Sequence, residues 1–190
     1  MSKLIYSKDM SIKQLNATYL LQEDRILFRI NTEERSEFGF LLTRRVTLFI
    51  LAASGHLVEK QLEQKHDPET AKAVADFEKK NLVSSNLNGP EFETGESFPL
   101  GNTPILVLDV TCGIAEAEAP NGQHFSIDFV LGNDQSINLK LPKPMLIALR
   151  LLLENLCDQA SWGRAVMTSS TPETSGTISV DTPSSSSTIH

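Results

Sequence analysis

Cysteine is scarce in this chain of 190 residues: Cys112 and Cys157 are the only two. They are too few for a disulfide framework and too far apart for a local metal knuckle, so they read as reduced thiols packed in a core. Long apolar runs are missing as well. No segment approaches the roughly 20 consecutive apolar residues that a membrane-crossing helix needs. The opening MSKLIYSKDMSIK holds no stretch apolar enough for a signal peptide. A cytoplasmic, reducing location without membrane contact is the expectation.

Recognisable catalytic motifs are also absent. No glycine-rich phosphate loop, HExxH pair, cysteine cluster or nucleophile elbow occurs. The four histidines, His56, His66, His124 and His190, show no ligand spacing. Asp109 lies in the apolar stretch LVLDVTCG near Cys112, an acid beside a thiol, but the sequence places no histidine to complete a nucleophilic set. A carboxylate paired across a sheet is the simpler account. The expectation is a non-enzyme with no catalytic residues, no metal and no cofactor.

What is present suffices for one ordinary domain, or for two small units sharing one core. Hydrophobic residues make up 40% and the mean hydropathy is -0.14. The net charge of -7 is unevenly spread: residues 1–66 carry 10 basic and 8 acidic side chains, and residues 67–190 carry 7 and 16. A polyanion would have to meet the first third, because the remainder repels it.

Along the chain, apolar and polar residues alternate over 15–21, then over 24–31 with Ile26, Phe28 and Ile30 in phase, then over 37–43 with Phe38, Phe40 and Leu42 in phase. That predicts a three-stranded meander with one apolar face. Thr43 is placed to cap a helix running to about Gln64. A second helix is expected over 67–81, with Asp67 as its cap and Pro68 in its first turn. Residues 84–104, rich in Gly, Pro, Asn and acid, read as a linker or long loop. Strands follow over 105–119, 124–131 and 136–141, then a helix over 144–160. From Thr168 the last 23 residues contain 14 Ser or Thr, the composition of a disordered tail.

The two halves match. With Asp24 set over Gln123, a constant offset of 99 residues places Ile26, Phe28 and Ile30 on Phe125, Ile127 and Phe129, and Phe38, Phe40 and Leu42 on Ile137, Leu139 and Leu141. LNATYL aligns upstream with LDVTCG if the first hairpin of the second copy is about six residues longer. The expected architecture is α+β: two pseudo-repeated units of antiparallel β-meander plus long helix, sharing one core. The units span 1–66 and 104–163, with a helix and linker over 67–103 and a tail over 164–190. The helices are apolar on too many sides to cover one sheet alone, so each must also touch the other half or another chain.

The outward strand positions differ between halves. Arg25, Leu27, Arg29, Gly39 and Leu41 in the first have the mixed character of a contact surface; His124, Ser126, Asp128, Asn138 and Lys140 in the second make an ordinary solvated face. Alternatively, the N-terminal strand or the 67–81 helix lies over the first set within the monomer. Arg44 and Arg45, matched by Lys143 and Pro144, open a helix at the end where an anion is favoured. They answer either an internal acid, Glu37, Glu34 or Asp67, or an external anion.

Residues EDRILFRINTEERSEFGFLLTRR (23–45) resemble the opening of a family of uncharacterised proteobacterial proteins, a resemblance that implies a bacterial, cytoplasmic setting and no particular activity. By layout alone, a doubled strand-strand-strand-helix plan is similar to Whirly-type single-strand-binding folds, whose sheets hold nucleic acid. The chain departs from that plan in its acidity and in having almost no aromatics at exposed strand positions for bases to stack on. The leading expectation is a protein-interaction or assembly module, self-associating or bound to a protein partner through Arg25, Leu27, Arg29 and Leu41. The other is a single-stranded nucleic-acid binder using Arg25, Arg29, Arg44 and Arg45.

Overall fold

The period-two alternation of the first meander is realised as β2 (Ile12–Leu20), β3 (Arg25–Thr32) and β4 (Glu37–Thr43), paired antiparallel in sequence order. That of the second becomes β5 (Ile105–Ala115), β6 (His124–Leu131) and β7 (Gln135–Pro142), paired the same way. The computed structural model describes residues 3–6, 11–63, 91–115, 124–133, 135–163, 165–166 and 179–180, with residues 67, 69, 70, 73, 74 and 77.

The chain is α+β. Its six main strands form one mixed sheet in the order β7-β6-β5-β4-β3-β2, joined at the middle by a parallel pairing of Phe40 with Ile105 and Leu41 with Leu106. The short β1 (Lys3–Tyr6) adds in parallel to β7 at the edge. Parallel neighbours need a crossover. Helix α1 (Arg44–Glu63) leaves β4 to begin it, and helix α2 (Lys143–Gln159) follows β7. Thr43 caps α1, its Oγ1 accepting from the Val46 N–H at 3.4 Å. Pro144 stands in the first turn of α2, where a missing N–H is harmless.

The inner-phase residues of β3, β4, β6 and β7 are all buried, whereas of the phase Leu15, Ala17, Tyr19 and Leu21 only Ala17 is buried and Leu21, in the turn after β2, is 78% exposed. Ile26, Phe28, Ile30, Phe38, Phe40 and Leu42, with Phe125, Ile127, Phe129, Ile137, Leu139 and Leu141, are each 2% exposed or less. At about 1.5–3 kcal/mol for each large apolar side chain taken from water, these twelve dominate the stabilisation. The sheet curls around them. β3 and β6 are three strand steps apart, about 14 Å in a flat sheet, yet the Phe28 and Phe129 rings lie 6.4 Å apart, with Phe40 5.2 Å from Phe129.

The pairing registers of the halves correspond. Arg25↔Thr43 through Ile30↔Phe38 reappears 99 residues on as His124↔Pro142 through Phe129↔Ile137. The irregularity between Ile12 and Gln14 in β2 has a counterpart between Val107 and Asp109 in β5. The first hairpin does not differ by six residues. Residues 21–24 join Leu20 to its partner Arg25 and residues 116–123 join Ala115 to His124, four against eight. The bulge in β5 turns both Leu108 and Asp109 outward, so Val110, not Leu108, is the counterpart of Leu15.

Each helix packs against the first strand of the other half, α1 on β5 and α2 on β2, and the helices meet each other. They cross where α1 is slim: a Cβ at Gly55 would stand 3.1 Å from Nη2 of Arg150 on α2. Beyond α2 the chain reverses through Ser161 and Gly163, both at positive φ, and turns Trp162 inward to 3% exposure. Its Nε1–H donates to Asp24 at 2.7 Å, its ring meets Tyr19 edge-on at 5.7 Å, and the Tyr19 hydroxyl donates to the same Asp24 oxygen at 2.8 Å.

Of the helix expected over 67–81, Glu69, Thr70, Ala73, Val74 and Phe77 are helical, and Asp67 accepts from the Thr70 N–H at 3.1 Å. The remainder of that stretch, residues 84–90 and most of the 164–190 tail lie outside the described residues; within the tail, β8 (Ala165–Val166) pairs antiparallel with β9 (Ser179–Val180).

Candidate interaction surface

Sheet register gathers four of the expected residues on one outer face. Across β2, β3 and β4 run the rows Thr18–Leu27–Leu41 and Asn16–Arg29–Gly39, and Leu41 continues to Leu106 on β5. Leu27, Leu41 and Leu106 are all half-buried, and Leu108 beyond them is 47% exposed. Arg25 borders this leucine row with a loose pairing to Glu23 at 3.9 Å.

Arg29 is not available as a free cation. Its Nη2 donates to Asn16 Oδ1 at 3.1 Å, its Nη1 lies 3.7 Å from Glu37, and its guanidinium stacks 4.5 Å over the Phe92 ring. Phe92 belongs to residues 91–104, which are no free linker. They form a strap across the outer face of the first half, the place that the N-terminal strand or the 67–81 helix takes on the alternative reading of the sequence. Pro104 of this strap lies against Gly39, where a Cβ would stand 3.4 Å from its ring.

The strap is held by polar side chains of the sheet. Gln14 grips its backbone with both ends of the amide: Nε2 donates to Glu91 O at 3.1 Å and Oε1 accepts from Glu93 N at 3.0 Å. Asn31 donates to Glu93 O at 2.8 Å, Lys13 pairs with the Glu93 carboxylate at 2.7 Å, and the Gly95 N–H donates to Glu37 at 2.9 Å. Arg35 pairs with Glu96. The Lys13 ammonium, first by hydrogen bond and then by charge, holds Glu93 below the ordinary carboxylate range. Lys13, Gln14, Asn31, Phe92 and Glu93 were not singled out from sequence, and Glu37 stood there only as a possible answer to Arg44 and Arg45. The available signal was Glu37, an acid opening an apolar strand and buried to 6% exposure.

Arg44 and Arg45 stand elsewhere, at the start of α1. The acid answering Arg45 is neither Glu37, Glu34 nor Asp67: its Nη1 lies 3.6 Å from Asp109, and its Nη2 donates to Leu108 O at 2.5 Å. The bulge that exposes Asp109 brings the two together, and Glu37 is committed to Arg29. Arg44 is half-buried, and its charge favours the ionised forms of Asp24 and Cys157.

On the second half the equivalent face is polar and bonded to itself. Asn138 donates to Ser126 and to Asp128, each at 2.6 Å. Both cysteines are free thiols. Burial, then the Asp128 charge, pushes Cys112 up to about 12; burial, then Asp158 and Glu154, pushes Cys157 up to about 11, so neither is primed as a nucleophile. Among the described residues no group of three His, Cys, Asp or Glu is placed to hold a metal, and no helix is long and apolar enough to cross a membrane. Models of known families, curated proteins and solved structures were compared with the chain, and none matches it.

Proposed function

We propose that the chain is a non-catalytic protein-interaction or assembly module, associating with itself or with another protein through the outer face of its first half. The observation that carries this reading is the leucine row, Leu27, Leu41 and Leu106 in register across three strands with Leu108 exposed beside them. Apolar side chains contiguous on an outer sheet face and rimmed by Arg25 and Arg45 have the make-up of an interface core with a charged border. The same reading takes the chain as a duplicated βββα unit whose halves share one core, in line with the 99-residue register offset and the crossed helix packing.

Single-stranded nucleic acid is the second reading. Arg45 supports it as a cation 67% exposed, and the acidic strap over Arg29 weighs against it.

Leu41→Arg places a charge at the centre of the row. Sedimentation velocity over a roughly hundredfold concentration range should show self-association, or capture of a defined partner, in the wild type and its loss in the variant, with the melting temperature little changed. A wild type that stays monomeric and captures nothing that Leu41→Arg fails to capture overturns the proposal.

A further inference from the structure

We propose that residues 91–97 are a built-in stand-in for an external ligand, and that the outer face of β2, β3 and β4 binds an extended acidic peptide bearing a phenylalanine next to a glutamate. This rests on the interaction reading above and names its partner class.

The contacts are those of peptide recognition. A side-chain amide that donates to one main-chain carbonyl and accepts from a main-chain N–H two residues on reads an extended backbone whatever its side chains, as Gln14 does with Glu91 and Glu93. Side-chain preference is added by Arg29 over the ring of Phe92 and by Lys13 on the carboxylate of Glu93. Residues 1–66 are the basic part of an acidic chain, so charge favours an acidic segment on this face.

The strap also leaves part of the site unanswered. Asn31, 2% exposed, uses its Nδ2 on Glu93 O, while its Oδ1 has no hydrogen-bond partner among the described residues; neither does the buried Nε of Arg29. A buried polar atom without a partner is costly. A closer-fitting peptide offers Asn31 the backbone N–H that the strap sends to Glu37 instead. An external segment must displace the strap, so its apparent affinity is divided by the fraction of molecules with the strap off.

The probe is a labelled, end-blocked peptide of residues 90–98, PEFETGESF, titrated into the full chain by fluorescence anisotropy. Phe92→Ala/Glu93→Ala loosens the strap and leaves the receiving side chains intact; the single substitutions are milder forms, and Trp162 fluorescence verifies the fold of each. The double variant should bind the peptide at least about tenfold more tightly than the wild type. Adding Gln14→Ala should abolish that gain, and a scrambled peptide should not bind.

Equal affinity for wild type and double variant overturns the stand-in role while leaving the leucine-row proposal untouched. No peptide binding to any folded variant overturns the partner class, and Leu41→Arg then still decides the interaction reading by itself. Binding of single-stranded DNA by the double variant, steeply lost with salt and without peptide binding, overturns the inference in favour of a polyanion.

Discussion

Gly95 lies tight against the sheet, and Gly95→Ala tests how the strap is held. A Cβ there would lie 2.7 Å from Glu37 Cβ, 2.8 Å from Glu37 N and 2.9 Å from Arg35 O. Carbon contacts are favourable only near 3.5–4.0 Å. The obstructing atoms belong to or adjoin the backbone at the start of β4, where Glu37 is paired with Asn31, so the sheet cannot yield cheaply. The strap must move instead, stretching the Gly95 N–H bond to a Glu37 side chain only 7% exposed.

Overpacking of this kind costs about 1–3 kcal/mol. The strap's own hydrogen bonds are worth about 0.5–1.5 kcal/mol net apiece, so the cost falls on the strap and leaves the core standing. At 1.4 kcal/mol per decade, the open fraction should rise roughly five- to a hundredfold. Hydrogen exchange reads this directly: the amides of Glu93, Glu96 and Ser97, bonded to Gln14 and to Arg35 O, should lose protection by that factor. Amides of β3 and β6 should keep theirs. Unchanged strap protection, or equal loss in β3 and β6, would refute the reasoning.

The contact of Trp162 and Tyr19 on Asp24 should show in the pH dependence of stability. The N–H of Trp162 first, then the Tyr19 hydroxyl, hold Asp24 below its ordinary 3.8, so its contribution is complete above that value and is lost as pH falls through the lower folded one. Melting temperatures of the wild type should therefore fall between about pH 5 and about pH 3 more steeply than those of Trp162→Phe, and equal slopes would count against the contact. Thiol chemistry gives an independent check: with Cys112 pushed up to about 12 and Cys157 to about 11, little thiolate is present at about pH 8, so a disulfide reagent should react slowly with the folded chain and promptly in denaturant. A fast phase without denaturant would contradict the raised values of both thiols.

Much of the fold was legible because alternation is a local property. Phe28 and Phe129 announce the inner face through their neighbours at i±2, and each is buried as expected. Thr43 and Pro144 marked helix starts for equally local reasons. Where a local rule broke, the sequence misled: the bulge at Leu108 exposes a leucine that alternation would bury, and the hairpin length was misjudged by two residues in consequence. Of the candidate site, the leucines and Arg25 stood where their phase put them, whereas the partners of Arg29 and Arg45 did not follow from phase at all.

By itself, then, the sequence determined which residues of the two hairpins face inward and where the helices begin, since each depends on periods of two or 3.6 residues along the chain. Tertiary structure alone decided what meets what across the chain. The curl of the sheet brings Phe28 to Phe129, the crossed packing sends each helix to the opposite half, and the path of residues 91–97 sets Phe92 on Arg29. Trp162 reaches Asp24 across 138 positions of sequence, and no periodicity carries information over that distance.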